Sequence, residues 1–408
     1  MRPPADLVIT GAAEVVTCEP CGEDPLGRIP GGEVAIRGDR ILAVAEAGRL
    51  GAEVDVEGAR VVDAAGGVVA PGFVDGHTHL VFGGSRVREF AARLAPDAGD
   101  PAALGIPTGI AASVEMTRAA DTDELVEAAS RRLASMLAAG TTTAESKSGY
   151  GLTTEEELRL LEVNRRLDAA QPVDVVSTFL GAHAVPEGET RDAYVARVVT
   201  EMIPEVVARG LAEFCDVFCD EGYFGVDDAR CILEAGRAAG LGLKIHTDQY
   251  SRLGGAELAA ELGVVSADHL NHADEESLRA LAAAGVTGVV TPVLDLTVRH
   301  PRPFDGRAMR NAGLELAVAT DLCPGCWAES MQPAVRLACL RGGLSPAEAM
   351  LGATRVGARS AGLEDRGALA PGLLADLQVW SVPTLEDLVY RIGSNVVARV
   401  IKRGKVVI

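Results

Sequence analysis

The sequence predicts an α/β protein, a (β/α)8 barrel of TIM type carrying a small composite β-sandwich formed by both termini. Three observations lead there. Eight short apolar runs in the middle of the chain end in polar residues and alternate with segments of helical period. Histidines gather at the ends of those runs. Both chain ends instead read as short strands with tight turns, and neither end alone supplies many of them.

At the N-terminal end Leu7-Val8-Ile9 reads as a strand, and Glu33–Arg37 with Arg40–Val44 as a hairpin about Gly38-Asp39. At the far end Ala375–Trp380 and Val396–Val407, broken by Lys402-Arg403-Gly404-Lys405, have the same texture. The simplest solution pairs the ends into one sandwich, 1–65 plus 366–408, around a barrel of 66–365. Barrel strands are predicted at Gly67–His77, Thr141–Lys147, Val173–His183, Ala212–Asp220, Leu243–His246, Val264–His269, Thr287–Pro292 and Leu316–Asp321. Helices are predicted at Asp121–Ala139, Thr154–Asp168, Val226–Ala239, Gly255–Glu261 and Asp274–Ala284. Such a barrel takes roughly 250 residues and keeps its active site at the C-terminal strand ends.

The composition is consistent with one large catalytic unit plus a smaller companion. Of 408 residues 48% are hydrophobic but only 4% aromatic, so the core is mostly Ala, Val, Leu and Ile. Lys plus Arg is 38 against 58 Asp plus Glu, a net charge of −20 that repels nucleic acid and anionic membranes. No secretory leader is evident, and the longest uncharged apolar run, Leu281 to Leu294, is too short to span a bilayer. The expected location is the cytoplasm. Eight cysteines in a chain this long do not make a disulfide scaffold. Cys18/Cys21 and Cys323/Cys326 have C-x-x-C spacing, but these distant pairs are not expected to share a structural zinc.

The chemistry collects at the strand ends. Of seven histidines, His77, His79, His183, His246 and His269 close predicted barrel strands, and Asp321 closes the last. His77 and His79 are two apart, so on an extended chain both imidazoles share a face and can hold one metal ion. Asp75 has the same parity and is expected to orient one of them. His246 is the natural third ligand and Asp321 the fourth. Three imidazoles and a carboxylate suit Zn2+ or Fe2+ better than Mg2+ or Ca2+. Such an ion activates water near neutral pH and polarises the attacked carbonyl. His269 is expected to shuttle a proton or polarise that carbonyl, while His272 and His300 are expected to be structural. Cys215 and Cys219 read as core. Lys147 raises the alternative of a carboxylated lysine bridging two metals, but no second ligand set is visible, which favours a mononuclear site.

These residues resemble the amidohydrolase superfamily. Pro71-Gly72-Phe73-Val74-Asp75-Gly76-His77-Thr78-His79 matches its opening motif, and Gly367-Ala368-Leu369-Ala370-Pro371-Gly372-Leu373-Leu374-Ala375-Asp376 its C-terminal one. The resemblance covers nearly the whole chain and implies a distorted (β/α)8 barrel. Within the superfamily the chain is most similar to the imidazolonepropionase family. The matching stretches are His79–Arg86, Lys147–Leu152, Thr178–His183, Phe214–Cys219, Leu253–Ala256 and Ser266–His269. That likeness implies opening of the 4-imidazolone-5-propanoate ring to N-formimidoyl-L-glutamate, in histidine degradation. The partner is then a small cyclic substrate bearing a carboxylate, and the assembly a homodimer.

Carried over by position, the resemblance implies that His77, His79, His246 and Asp321 bind the metal. Arg86 faces the substrate carboxylate, as a guanidinium fork suits, and Tyr150 and His183 contact the ring and its arm. Gln249 places water or a ring nitrogen but, as an amide, is no base; proton transfer then falls to His269 and Asp321. The chain departs from the family after the eighth strand. Asp321-Leu322-Cys323-Pro324-Gly325-Cys326 puts thiols where the family has an amide and a hydroxyl that contact ligand. The segment 96–110 also departs, lacking the family's tyrosine and keeping only Thr108-Gly109-Ile110 of its pattern. Cys323, Gly325 and Cys326 are therefore expected at the substrate but open two alternatives: a different ring, such as a modified imidazolone, a hydantoin-type lactam or a deaminated heterocycle, or an amidohydrolase-like scaffold without activity.

Overall fold

The computed structural model describes residues 2–95 and 101–408; of the departing segment 96–110, residues 96–100 lie outside them. Strands β1 (Leu7–Thr10), β2 (Glu14–Val16), β3 (Arg28–Pro30), β4 (Glu33–Arg37), β5 (Arg40–Ala45), β6 (Arg60–Asp63), β7 (Val68–Pro71) and β8 (Phe73–Asp75) come first. The predicted hairpin is β4–β5, antiparallel with Arg37 opposite Arg40. It joins β1 and β6 in a four-stranded sheet ordered β5-β4-β1-β6.

The two chain ends meet in a second sheet. Strands β16 (Leu377–Trp380), β17 (Val397–Lys402) and β18 (Lys405–Val406) extend it in the order β18-β17-β16-β7-β2-β3. The junction is the antiparallel pair β7–β16, with Pro71 opposite Leu377. Ile9, Val34 and Ile36 from the first sheet pack with Val69, Leu377 and Val379 from the second in one buried cluster. Period-two patterning explains why: along β5 Ile41, Ala43 and Ala45 are buried while Arg40 is exposed.

The barrel comprises β8, β9 (Thr141–Lys147), β10 (Asp174–Ala182), β11 (Phe214–Cys219), β12 (Gly242–Thr247), β13 (Ser266–His269), β14 (Thr287–Val290) and β15 (Leu316–Val318), all parallel and in sequential order. Gly67–His77 is not one strand: β7 belongs to the terminal sheet and only β8 to the barrel. The chain changes sheet at Gly72, where a Cβ would stand 2.3 Å from Thr142 Oγ1. Only a residue without a side chain leaves room there for the Thr142 side chain.

The barrel closes at its rim. Thr78 bridges Leu322, the His79 N–H donates to the Leu322 carbonyl at 2.8 Å, and the Asp321 N–H donates to the His77 carbonyl at 3.1 Å. Lower down, the Val74 N–H is taken by the Ala353 carbonyl at 2.9 Å. A Cβ on Gly357, in helix Arg355–Ser360, would meet the Val74 oxygen at 2.6 Å. That wedge keeps β8 and β15 from pairing along their length, which distorts the barrel.

Predicted helices end within a few residues of the observed ones. The second begins at Thr154, and the first spans Thr122–Ala138 because Asp121 is its cap. Asp121 Oδ1 accepts from the Glu124 N–H at 2.8 Å and Glu124 Oε2 from the Asp121 N–H at 3.0 Å. At the opposite, N-terminal end of the strands, Asp174 Oδ2 ties barrel to sandwich. It accepts from Lys402 Nζ at 2.8 Å, from Arg403 Nη2 at 3.0 Å and from Arg366. Among the described residues no helix is long and apolar enough to cross a membrane.

Candidate active site

The rim brings the strand-end histidines together. His77 and His246 ring centroids are 4.6 Å apart, and His77 to His269 is 5.1 Å. Asp321 Oδ1 lies 3.7 Å from His77 Nε2 and 3.8 Å from His79 Nε2. Two triads, His77/His246/His269 and His77/His79/Asp321, place ligand atoms within 4.8 Å of one another. His269 therefore stands as near as a ligand, although a proton-handling role is expected of it.

Two carboxylates set the imidazoles. His77 Nδ1 is 2.7 Å from Asp268 Oδ2 and His246 Nδ1 is 3.1 Å from Asp216 Oδ1. The network assigns the proton to Nδ1 in each, so the Nε2 lone pairs are free. His77 Nε2 and His246 Nε2 are buried with no hydrogen-bond partner among the described residues, as is His79 Nδ1. Burial, reinforced by charged neighbours, holds all three imidazoles well below their ordinary pKa and so in the neutral, metal-ligating form. Burial also raises the Asp321 carboxyl to about 7. Neutral imidazoles with orphaned nitrogens beside a carboxylate fit a divalent metal ion.

Asp75 does not orient an imidazole, contrary to the parity argument. Its oxygens accept from the Thr320 N–H at 3.1 Å and the Thr320 hydroxyl at 2.6 Å. It thus steadies the turn into Asp321, whose φ of +51° lies in the left-handed region, as does that of His269 at +77°. Such backbone is held only where its surroundings over-determine it.

Above these groups opens a cavity of about 340 Å³. Its walls include most of the residues expected at the substrate: Arg86, Tyr150, His183, Gln249, Cys323 and Gly325, with His269 and Asp321 deeper in. The Arg86 guanidinium is gripped from one side by Glu89, through Nε at 2.7 Å and Nη2 at 3.0 Å. Glu89 is buried and also takes Arg93 at 2.5 Å and the Gly109 N–H at 3.3 Å. The other side of the guanidinium lies against Gly325, where a Cβ would be 3.1 Å from Nη1.

His183 Nδ1 meets the Gly149 carbonyl at 3.1 Å, and its ring stacks on His79 at 4.8 Å. Burial brings His183 and His269 down to about 4. Burial likewise keeps the Tyr150 phenol protonated, so its hydroxyl is a donor. His269 Nδ1 is 3.2 Å from Thr291 Oγ1. The Gln249 amide donates to the Tyr250 hydroxyl at 3.3 Å.

Two expectations fail in the cavity. Cys326 does not line it: its Sγ sits 3.7 Å from Thr297 Oγ1 and 3.9 Å from the Thr320 carbonyl, beneath the turn. His300, expected to be structural, does line it, stacked on Tyr250 at 5.3 Å with its Nδ1 accepting from the Arg302 N–H at 3.1 Å. Arg93, Tyr223 and Tyr250 also contribute walls that sequence reasoning missed. Their only sequence signal is position, a few residues beyond a strand end or on the first rim helix. The C-x-x-C pairs stay apart, with Cys323 and Cys326 facing each other across a backbone bridge and all eight cysteines free.

A (β/α)8 barrel with a rim of neutral imidazoles, one carboxylate and an anion-seeking guanidinium defines a metal-dependent hydrolase. The chain belongs to the amidohydrolase family, whose profile matches residues 68–407. It is 44% identical over 406 residues to an imidazolonepropionase of Haloarcula marismortui, covering 98% of this chain and 96% of that one. It is also 44% identical over 423 residues to an imidazolonepropionase of Geobacillus kaustophilus, covering 100% and 98%. Among solved structures, an adenosine deaminase from Xanthomonas campestris with bound zinc superposes with a TM-score of 0.73 at 21% identity, covering 100% of this chain and 93% of that one. An ochratoxinase from A. niger gives 0.71 at 20% identity, covering 99% and 96%. These two likenesses bear on the fold alone.

Proposed function

We propose that the chain hydrolyses a cyclic amide C–N bond, opening 4-imidazolone-5-propanoate to N-formimidoyl-L-glutamate. The observation that carries this is one cavity holding both the imidazole–carboxylate cluster and Arg86. Full-length similarity to imidazolonepropionases supports the choice of ring. His77, His79, His246 and Asp321 hold one divalent ion, and three nitrogens with one oxygen suit Zn2+ or Fe2+. When bound, such an ion supplies an activated water and polarises the ring carbonyl.

The protein's own groups do the rest. Arg86 takes the propanoate through the guanidinium edge that Glu89 leaves free. Tyr150 and His183 hold the ring and its arm. The Thr291 hydroxyl donates to His269 Nδ1, which leaves Nε2–H to donate to the carbonyl oxygen as negative charge develops on it. Asp321, which lines the cavity beside the imidazoles, takes the proton of the attacking water and returns it to the departing ring nitrogen. Gln249 orients water or ring by hydrogen bonds.

The test is direct. Metal-replete protein is given freshly generated imidazolonepropanoate, and ring loss and formimidoylglutamate are followed together. Failure to consume it, while a related lactam or hydantoin is turned over, would sink the assignment. One observation favours that second reading: the wall beside Arg86 presents the Cys323 thiol, a weak hydrogen-bonding group suited to a softer or less polar ring substituent. Free thiols throughout suit a reducing compartment such as the cytoplasm, and a homodimer is the assembly that light scattering should find.

A further inference from the structure

The carboxylates that orient the imidazoles converge on an ammonium. Lys147 ends β9 and is fully buried. Its Nζ lies 2.8 Å from Asp216 Oδ2, 3.0 Å from Glu145 Oε1 and 3.3 Å from Asp268 Oδ2. Three oxygens at those distances engage all three N–H donors, which leaves no free amine to be carboxylated. The same oxygens have the makings of a metal shell. Asp216 and Asp268 bring ligand oxygens within 4.8 Å of one another. Glu145 Oε1 is shared with a second buried ammonium, Lys244 Nζ at 2.8 Å, which stays when Lys147 is replaced, while Glu145 Oε2 is buried with no hydrogen-bond partner among the described residues, an oxygen still to be used. A shell of carboxylates is what hard divalent ions such as Mg2+ and Mn2+ prefer, unlike the nitrogen-rich set beside it.

We propose that this is a second cation site, filled by the Lys147 ammonium in place of a hard divalent ion, and that Lys147 is a positioning residue keeping the centre mononuclear. The ammonium does two things that a vacancy between the carboxylates would not. It offsets their charge within a region closed to water, and it fixes the carboxylates that accept from the imidazoles: Asp216 turns Oδ2 to Lys147 and Oδ1 to His246, while Asp268 Oδ2 is shared between Lys147 and His77. Without it, Asp216 Oδ2 and Asp268 Oδ2 lose their cation while Val217 and Ser266 still hold the other oxygens in place, which leaves lone pairs for a metal. The inference does not depend on which ring the enzyme opens.

Wild-type and Lys147→Met protein are stripped of metal, loaded with Zn2+ and titrated with Mn2+. Metal per chain is read by elemental analysis, bound Mn2+ by electron paramagnetic resonance, and melting with and without Mn2+. The wild type should hold Zn2+ and take up no stoichiometric Mn2+. The variant should hold one more ion per chain than the wild type and melt higher when Mn2+ is added. A variant with the wild-type count, or a wild type that takes up stoichiometric Mn2+ beside Lys147, would overturn the proposal. So would a variant that stays unfolded in Mn2+, since the ion is required to replace the ammonium. In the Glu145→Gln/Lys147→Met variant Mn2+ should bind about tenfold or more weakly, a difference of about 1.4 kcal/mol; equal affinity would remove Glu145 from the site and refute the three-carboxylate shell. A wild type that binds no Zn2+ would instead defeat the metal reading above, while the difference between variant and wild type would still judge this one.

Discussion

Replacing Gly325 by Ala should weaken substrate binding by pushing one guanidinium. The new Cβ would stand 3.1 Å from Arg86 Nη1 and 3.2 Å from both Cζ and Nη2. Comfortable contact begins at about 3.5 Å, so the guanidinium must retreat by about 0.4 Å. Ordinarily the tip of an arginine would swing aside, but Glu89 holds Nε and Nη2 at 2.7 and 3.0 Å from a buried position. The displacement therefore falls on the edge left for the substrate carboxylate. Losing one of two charge-assisted hydrogen bonds costs about 1.5 kcal/mol, roughly a tenfold rise in KM. The arm is remote from the bond being broken, so kcat should change by less than about twofold. Steady-state kinetics on imidazolonepropanoate and on an analogue lacking the carboxylate separate the two cases. An unchanged KM, or an equal loss on both substrates, refutes the reasoning.

Other perturbations probe the frame around the site. Glu89→Ala leaves Arg86 without its anchor and should cost about 2 kcal/mol of stability together with a raised KM, read by urea unfolding and kinetics. Asp174→Ala removes one partner from three cations at the far end of the barrel, of which Lys402 keeps Asp376 and Arg366 keeps Asp365, and should cost about 1.5 kcal/mol in the same unfolding assay, with kcat unchanged. Asp248 has its carboxyl raised to about 7, by burial first, and one unpartnered oxygen. A carboxyl with a raised folded-state pKa loses stability as pH climbs from its unfolded value, about 4, to about 7. Asp248→Asn removes that loss and suits the left-handed φ of +52°, so its melting advantage over wild type should grow between pH 5 and pH 8; a constant difference would count against it.

Much of this was legible in the sequence because its signals are local. β9 occupies the predicted residues Thr141–Lys147, since a fully buried run bounded by Gly140 and by Gly149 has little freedom to shift. The split of Gly67–His77 was not legible, because 68–75 is apolar almost throughout and the break depends on Thr142 pressing against Gly72. The strand-end histidines declared themselves by position. Their partners did not: Asp268 and Asp216 lie inside strands, and only register, with His246 opposite both Asp268 and Phe218, brings them beneath the imidazoles. Asp75 misled because parity gives a face and not a partner. Cys326 misled because a turn can point one of its ends inward, and here Thr297 and the Thr320 carbonyl receive that thiol.

The seam between Thr78 and Leu322 has a consequence beyond catalysis. His77 and His79 stand on one side of it and Asp321 on the other. An ion shared by these residues is a removable cross-link between the first and last strands, and it closes a loop containing nearly the whole barrel. Closing so long a loop confines the unfolded chain more than any local contact does. Chelation should therefore loosen the barrel at this join before any other, with the His79 and Asp321 amides the earliest to exchange with solvent. The ion that equips the site for hydrolysis would then also be the fastener that keeps its wall in one piece.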